Sequence, residues 1–164
     1  MNAAGQTICL CMIVKNEAAV IRRSLDSART LIDHWIVVDT GSTDGTQDIV
    51  REHMKGIPGA VHERAWKNFA HNRSEALALA RAQADFTLTL DADDTLEMPE
   101  GFIMPELTRD CYSMDIVDGT QRSQPRSAHA YACARTRMRT RMRARARACA
   151  RSRSHICTRM HTHT

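Results

Sequence analysis

The chain has 164 residues, a net charge of +4 and 43% hydrophobic residues, proportions that fit one ordinary soluble domain. The average conceals two different parts, because residues 1–121 carry a net charge of −8, whereas residues 122–164 carry +12 and contain no acid. The overall charge therefore says nothing about nucleic-acid or membrane partners. No apolar run approaches the roughly 18 residues of a membrane span, and no leader-like pattern opens the sequence, so we expect a cytoplasmic protein with free thiols.

The first elements alternate between strand and helix. Residues 7–14 form a continuous apolar run typical of a buried parallel strand, and Asn16 is predicted to cap the helix that follows. That helix is amphipathic, with apolar positions Ile21, Leu25, Ala28 and Ile32. A second strand is predicted at residues 35–38. The turn TGSTDGT then leads into a helix at residues 46–54, with Asp44 as its predicted cap.

The alternation continues with a short strand at residues 60–63, an alanine-rich helix at residues 72–83 and a strong strand at residues 86–90. Such a series predicts an α/β fold, with a mainly parallel sheet and helices on both faces. In these sheets ligands bind beyond the carboxyl ends of the strands. The predicted strand ends carry polar residues, namely Lys15-Asn16-Glu17, Asp39 and Asp91-Ala92-Asp93-Asp94.

The acidic group after the last strand suggests a metal site. Carboxylates of Asp91 and Asp93, at the end of a buried strand, suit a hard divalent cation, Mg²⁺ or Mn²⁺. Such an ion would offset the charge of a departing nucleoside diphosphate, and Arg73 would add a second positive charge.

Four motifs in this order resemble a family 2 glycosyltransferase with the Rossmann-like GT-A fold: KNE, VVDTGSTDGT, FAHNRSEAL and LTLDADD. The resemblance covers about residues 8–118, the nucleotide-binding half of that domain. It implies an inverting transfer of a sugar from a nucleoside-diphosphate sugar to an acceptor hydroxyl.

The resemblance also implies roles for single residues. Asp39 would accept hydrogen bonds from the base, and the strand end at Val14, Lys15, Asn16 and Glu17 would line the nucleoside. Arg73 would approach the diphosphate. Asp93 would be the main metal ligand, with Asp91 near the ribose or the metal, while Asp94 either contacts the sugar or is simply exposed.

The sequence departs from the family pattern in three places. Thr40 stands where many relatives have a second acid, and Ser74 stands where asparagine is common. The third departure is that no acid follows Asp118, so no catalytic base can be named, and Asp115 and Asp118 fit structural or sugar-side roles better. We therefore expect a truncated domain at 1–121. The alternative function is a catalytically dead fragment that binds nucleotide and metal.

A phosphatase is the rival enzyme that the acidic motif suggests. Asp91, Asp93 and Thr95 also spell the DxDxT nucleophile motif of haloacid dehalogenase-like phosphatases. That chemistry needs a downstream lysine, yet the last lysine is Lys67. The absence of a later lysine in the sequence excludes the phosphatase function.

The segment at 122–164 is predicted to be a disordered basic tail. From Ala128 onward, small or apolar residues alternate strictly with Arg, His, Tyr or Cys, and the segment has too few large apolar residues to build a core. Our hypothesis is that this alternation reflects translated repeat DNA. A less favoured function is non-specific binding of nucleic acid or another polyanion by its arginines.

Overall fold

The computed structural model describes residues 4–114 and 131–134. Its elements in chain order are β1 Ile8–Val14, α1 Ile21–Ala28, β2 His34–Asp39, α2 Thr46–His53, β3 Gly59–Glu63, α3 Phe69–Arg81, β4 Phe86–Thr89, β5 Cys111–Ser113 and β6 Tyr131–Ala134. Every strand and helix predicted within residues 7–90 is present, with ends shifted by up to four residues.

The strands form one sheet in the order β3-β2-β1-β4-β6-β5. The first four strands in that order are parallel, whereas β6 pairs antiparallel with both β4 and β5. Strands β1 and β2 are buried on both faces, which explains their nearly continuous apolar sequences. The predicted α/β class with a mainly parallel sheet is confirmed.

Two apolar layers cover the sheet. Even-numbered residues of β1, such as Leu10 and Met12, pack with Ile21 and Leu25 of α1 and with Val50 of α2. The intervening Cys9 and Cys11 pack on the other face with alanines of α3, Ala76 and Ala80. Alternate strand residues face opposite sides, so one apolar run supplies both layers. The predicted placement of helices on both faces is therefore confirmed.

Two predicted helix caps are wrong. Helix α1 begins at Ile21 after Val20, so Asn16 lies outside it, with a positive φ of 57°. The N-cap of α2 is Gly45, at φ 87°, rather than Asp44. The carboxylate of Asp44 instead accepts from the backbone N–H of Thr46, one residue inside the helix, at 3.0 Å. Both polar residues serve loop-to-loop contacts, because each lies where two loops meet.

Four residues of the predicted tail belong to the sheet. Strand β6 lies beside β4, which would otherwise present unpaired backbone groups at that edge. The sequence of this segment alternates with the period of a β-strand, so it can pair with the open edge of β4. This explains why the structure has a strand where a disordered tail was predicted. Residues 115–130 and 135–164 lie outside the described residues, so the predictions for Asp115, Asp118 and the remainder of the tail stay predictions.

Candidate functional site

The carboxyl ends of the parallel strands form one polar rim, as predicted. Strand pairing sets Val14 beside Asp39 and Asp39 beside Glu63. On the other side of β1, the chain leaves β4 next to Cys11, whose carbonyl accepts from the N–H of Leu90 at 3.3 Å. The acidic segment after β4 therefore begins at the same edge of the sheet as Asp39.

The loops after β1 and β2 are joined by side-chain hydrogen bonds. Asn16 Oδ1 accepts from the Thr43 N–H, and the Asn16 N–H donates to Ser42 Oγ, both at 2.8 Å. The Glu17 N–H donates to Thr46 Oγ1 at 2.9 Å. The KNE and TGSTDGT motifs thus form one rigid corner of the rim. Asn16 tolerates its positive φ because asparagine is among the few residues that do so readily.

Val14 and Lys15, also predicted to line the nucleoside, differ in their surroundings. Val14 is buried, and its carbonyl accepts from both the N–H and the hydroxyl of Thr40, at 2.9 and 3.1 Å. Lys15 is exposed on the corner. Thr40 therefore closes the strand end, which gives the departure from the family pattern at this position a structural role.

Asp39 is the most enclosed acid of the rim. It is 1% exposed, and its Oδ1 accepts from the N–H groups of Gly41 and Ser42, each at 2.9 Å, and from Gln47 Nε2 at 3.2 Å. Its Oδ2 is buried and has no partner among the described residues. Burial by itself would raise the pKa of this carboxyl, but hydrogen bonds from Ser42, Gly41 and Gln47 outweigh burial and hold the pKa below its ordinary value. The group is therefore charged at neutral pH, with one unfilled acceptor.

Arg73 and Asp91 meet at the rim. Arg73 Nη2 donates to Asp91 Oδ1 at 2.7 Å, and the side chains are 15% and 29% exposed. The guanidinium also lies over the ring of Phe69, 5.0 Å from its centroid, while Nη1 is buried with no hydrogen-bond partner in the described part of the chain. Arg73 thus lies beside the acidic segment, where its partner is a carboxylate of this chain. Its role at the diphosphate stays a prediction.

The acidic segment after β4 is tied down through its main chain. Ser24 Oγ donates to the Asp91 carbonyl at 3.2 Å, and Arg23 Nη2 donates to the Asp93 carbonyl at 3.3 Å. The N–H of Asp94, which is half-buried, also bonds to the Asp91 carbonyl at 3.2 Å. These bonds form a turn in which the backbone of Asp93 is held while its side chain is exposed.

Glu17 lies within the electrostatic reach of this segment. Partial burial, followed by repulsion from Asp93 and Asp44, raises the pKa of Glu17 above its ordinary value. The carboxylates of Glu17, Asp93 and Asp44 are thus close enough to repel one another, and a bound cation would reduce that repulsion.

The residues present fit a divalent cation whose coordination shell is completed by a bound ligand. Within residues 4–114 and 131–134, no three His, Cys, Asp or Glu side chains converge on one point, so the protein alone offers no full cage. Mg²⁺ and similar ions, however, are commonly held by one or two carboxylates plus substrate phosphates. Asp93 is exposed, its carboxylate makes no hydrogen bond or ion pair with the described residues, and Asp91 lies two residues away. The donor set has the right chemistry.

Sequence reasoning missed three residues that build this rim. Gln47 donates to Asp39, Phe69 covers Arg73, and Asn72 holds the loop before α3. Asn72 is fully buried; its Oδ1 accepts from the Lys67 N–H at 3.0 Å, and its Nδ2 donates to the Ala65 carbonyl at 3.2 Å. A polar residue on the inward face of an otherwise alanine-rich helix was the signal available for Asn72. Nothing in the sequence marked Gln47.

A polar groove adjoins the rim on the β3 side. Its volume is about 560 Å³, and it is lined by Arg64, Ala65, Lys67, His71, Ser74 and Glu75. Glu75 is neutralised within it by Arg64, whose Nε lies 2.5 Å from Oε1. Ser74, the position where asparagine is common in the resembled family, is part of the lining of this groove.

The sequence profile described as "Glycosyl transferase family 2" matches residues 9–100. The chain belongs to glycosyltransferase family 2. The match begins within β1 and ends just after the acidic segment, so it contains every rim residue described above.

Similar proteins match a little over half of this chain. A TPR repeat-containing protein of Synechococcus elongatus is 38% identical over 96 residues, which are 58% of this chain and 23% of that protein. An uncharacterized glycosyltransferase of Rickettsia felis is 34% identical over 91 residues, 56% of this chain and 30% of the relative. The chain therefore spans less than a third of the length of these two relatives.

Among solved structures, a mannosyltransferase of Pyrobaculum calidifontis in complex with GDP-Man and Mn²⁺ is 26% identical, with a TM-score of 0.47. The likeness covers 55% of this chain and 28% of that one. Regarding membranes, none of the helices in the described part of this family 2 chain is long and apolar enough to cross a bilayer.

Proposed function

We propose that the rim binds a nucleoside-diphosphate sugar together with a divalent cation, and that the domain is the donor-binding part of an inverting glycosyltransferase. The observation that carries the proposal is the state of Asp39, which is buried, charged and half unfilled at the carboxyl edge of the sheet. An unpaired acceptor on a buried carboxylate is costly, and a donor brought by a ligand removes that cost.

The unfilled oxygen favours bases with a ring N–H. Uracil and guanine carry such a donor, whereas cytosine and adenine have a lone pair at the corresponding ring nitrogen, which a carboxylate repels. Val14 to Glu17 border the same corner of the rim and would line the nucleoside. We therefore expect uridine or guanosine diphosphates to bind more tightly than cytidine or adenosine diphosphates.

Asp93, with Asp91 beside it, would hold the cation, Mg²⁺ or Mn²⁺. When bound, the ion supplies Lewis-acid stabilisation of the departing diphosphate. Arg73 would add a fixed positive charge near the phosphates, oriented by its bond to Asp91 and by the ring of Phe69. Asp94 would lie towards the sugar.

Transfer itself needs an acceptor site and a general base. Among residues 4–114 and 131–134 we assign neither, so the proposal for these residues concerns the donor. Binding of donor without turnover, the alternative function, is a measurable outcome.

Isothermal titration of the full chain with UDP, GDP and CDP, with and without Mn²⁺, tests the proposal. We expect Asp39→Asn to weaken UDP binding about tenfold or more, because it replaces an acceptor with a donor. Asp93→Ala should remove the gain in affinity due to Mn²⁺. Glu52→Gln, at the other end of α2, is the matched control.

Turnover of a labelled nucleotide sugar, measured in parallel, separates an enzyme from a binding domain. Nucleotide affinity that is unchanged by both Asp39→Asn and Asp93→Ala, or no nucleotide binding at all, would refute the donor site.

A further inference from the structure

The orientation of Asp39 depends on a helix as well as on its own loop. Three donors meet at Oδ1: the Gly41 N–H, the Ser42 N–H and Gln47 Nε2, at 2.9, 2.9 and 3.2 Å. The two backbone donors come from the turn directly after β2. Gln47 comes from the first turn of α2 and bonds to the same oxygen. Because all three donors meet at one oxygen, the plane of the carboxylate is held and one oxygen position, that of Oδ2, is left unfilled.

Gln47 is itself held in one orientation. Arg51, one turn later on α2, donates from Nη2 to Gln47 Oε1 at 3.1 Å and from Nη1 to Asp48 Oδ1 at 3.0 Å. A guanidinium has only donors, so it must face the oxygen end of the Gln47 amide. The nitrogen end is thereby directed at Asp39. A flipped amide would set its oxygen against a carboxylate oxygen and lose both bonds.

We propose that Gln47 is a positioning residue for nucleotide recognition, which holds Asp39 so that a single oxygen, Oδ2, is left for the base, and that Arg51 sets the orientation of Gln47. The inference rests on the proposed function, since the ligand of Oδ2 is the donor nucleotide. It assigns a role to exposed Arg51 and half-buried Gln47, which both lie outside the four sequence motifs named above.

The electrostatics around Asp39 make this role measurable. The pKa of Asp39 is set by burial and by hydrogen bonds from Ser42, Gly41 and Gln47, with no neighbouring charge among its causes. Among the described residues, Arg51 reaches Asp39 through the Gln47 amide, and Arg64 through a bond from its backbone N–H to the Asp39 carbonyl. Loss of the Gln47 donor should therefore raise the pKa of Asp39.

The first test needs no ligand. The ¹³Cγ resonance of Asp39, followed against pH by NMR in the full chain, should titrate at higher pH in Gln47→Leu than in the wild type. Gln47→Glu should raise the pKa further, since a second carboxylate then faces Asp39. Gln83→Leu, an exposed glutamine after α3, is the matched control and should leave the titration unchanged.

The second test measures UDP affinity between pH 4 and 8. Gln47→Leu should weaken binding about tenfold at neutral pH, and its acid loss of affinity should begin at higher pH than in the wild type. Arg51→Ala should weaken binding less, in the same direction, whereas Arg22→Ala on α1 should not. Melting temperatures recorded alongside show whether α2 is merely destabilised.

The outcomes separate the two proposals. A Gln47→Leu protein that melts at lower temperature but keeps the wild-type Asp39 titration overturns the positioning role. So does wild-type UDP affinity in Gln47→Leu when Asp39→Asn has lost binding. Absence of nucleotide binding in the wild type overturns the proposed function and the recognition role together, whereas the shift of the Asp39 titration would still establish that Gln47 orients the carboxylate.

Discussion

The ion pair between Arg73 and Asp91 gives the sharpest quantitative test of the rim. Arg73→Met removes the guanidinium and keeps most of the apolar stem, so packing against Phe69 is largely retained. Asp91→Asn keeps the shape of the carboxylate and removes its charge. The two substitutions and their combination form a double-mutant cycle that isolates the pair from its surroundings.

The magnitude follows from distance and exposure. Nη2 and Oδ1 are 2.7 Å apart, and the side chains are 15% and 29% exposed, so the pair lies between a surface and a buried salt bridge. Exposed pairs contribute up to about 1 kcal/mol, whereas removal of one partner from a buried pair costs about 3–5 kcal/mol. We expect each single substitution to lower the free energy of unfolding by about 2 kcal/mol. The double variant should lose about 1–2 kcal/mol less than the sum of the single losses.

Urea unfolding of the four proteins, followed by circular dichroism, measures the coupling. The pair of Lys55 and Glu52 is the control: its atoms are closer, at 2.5 Å, but its side chains are 71% and 67% exposed. Its coupling should stay below about 0.5 kcal/mol because water screens it. A coupling between Arg73 and Asp91 that is no larger than this control would show that burial does not strengthen the rim pair.

Four further outcomes follow from the fold. Gly45→Ala should cost about 1 kcal/mol or more in thermal unfolding, because φ at this position is 87°. Asn72→Ala should cost about 2 kcal/mol and speed limited proteolysis before α3, since two backbone groups lose their partner; an unchanged digestion pattern would contradict this role. The pKa of Asp39 is lower in the folded protein than in the unfolded chain, so its charge stabilises the fold above the ordinary aspartate pKa. That stabilisation is lost as the pH falls through the pKa of the folded state. In Asp39→Asn, this contribution to the pH dependence of the free energy of unfolding should be absent between about pH 2 and 6. Burial raises the pKa of Cys9 to about 12 and of Cys11 to about 11, so a thiol reagent at pH 8 should label them only after unfolding.

Much of the fold could be predicted because local pattern and burial agree. The runs that became β1 and β2 are apolar on both faces of the sheet, and the helices between them carry apolar residues at helical spacing. The predictions failed where a polar side chain serves a distant partner. Asn16 and Asp44 look like helix caps, yet they join the loops after β1 and β2.

The sequence by itself determined the order of strands and helices, the family, and the acids that stand at the strand ends, because each of these depends on neighbours along the chain. The tertiary structure decided what those acids do. It paired Asp91 with Arg73, it left the carboxylate of Asp93 exposed, and it filled one oxygen of Asp39. Gln47 has no local signature, since its role arises only when α2 packs beside the end of β2. Hydrogen bonds between elements depend on distances that packing sets, which the spacing of residues along a chain does not specify.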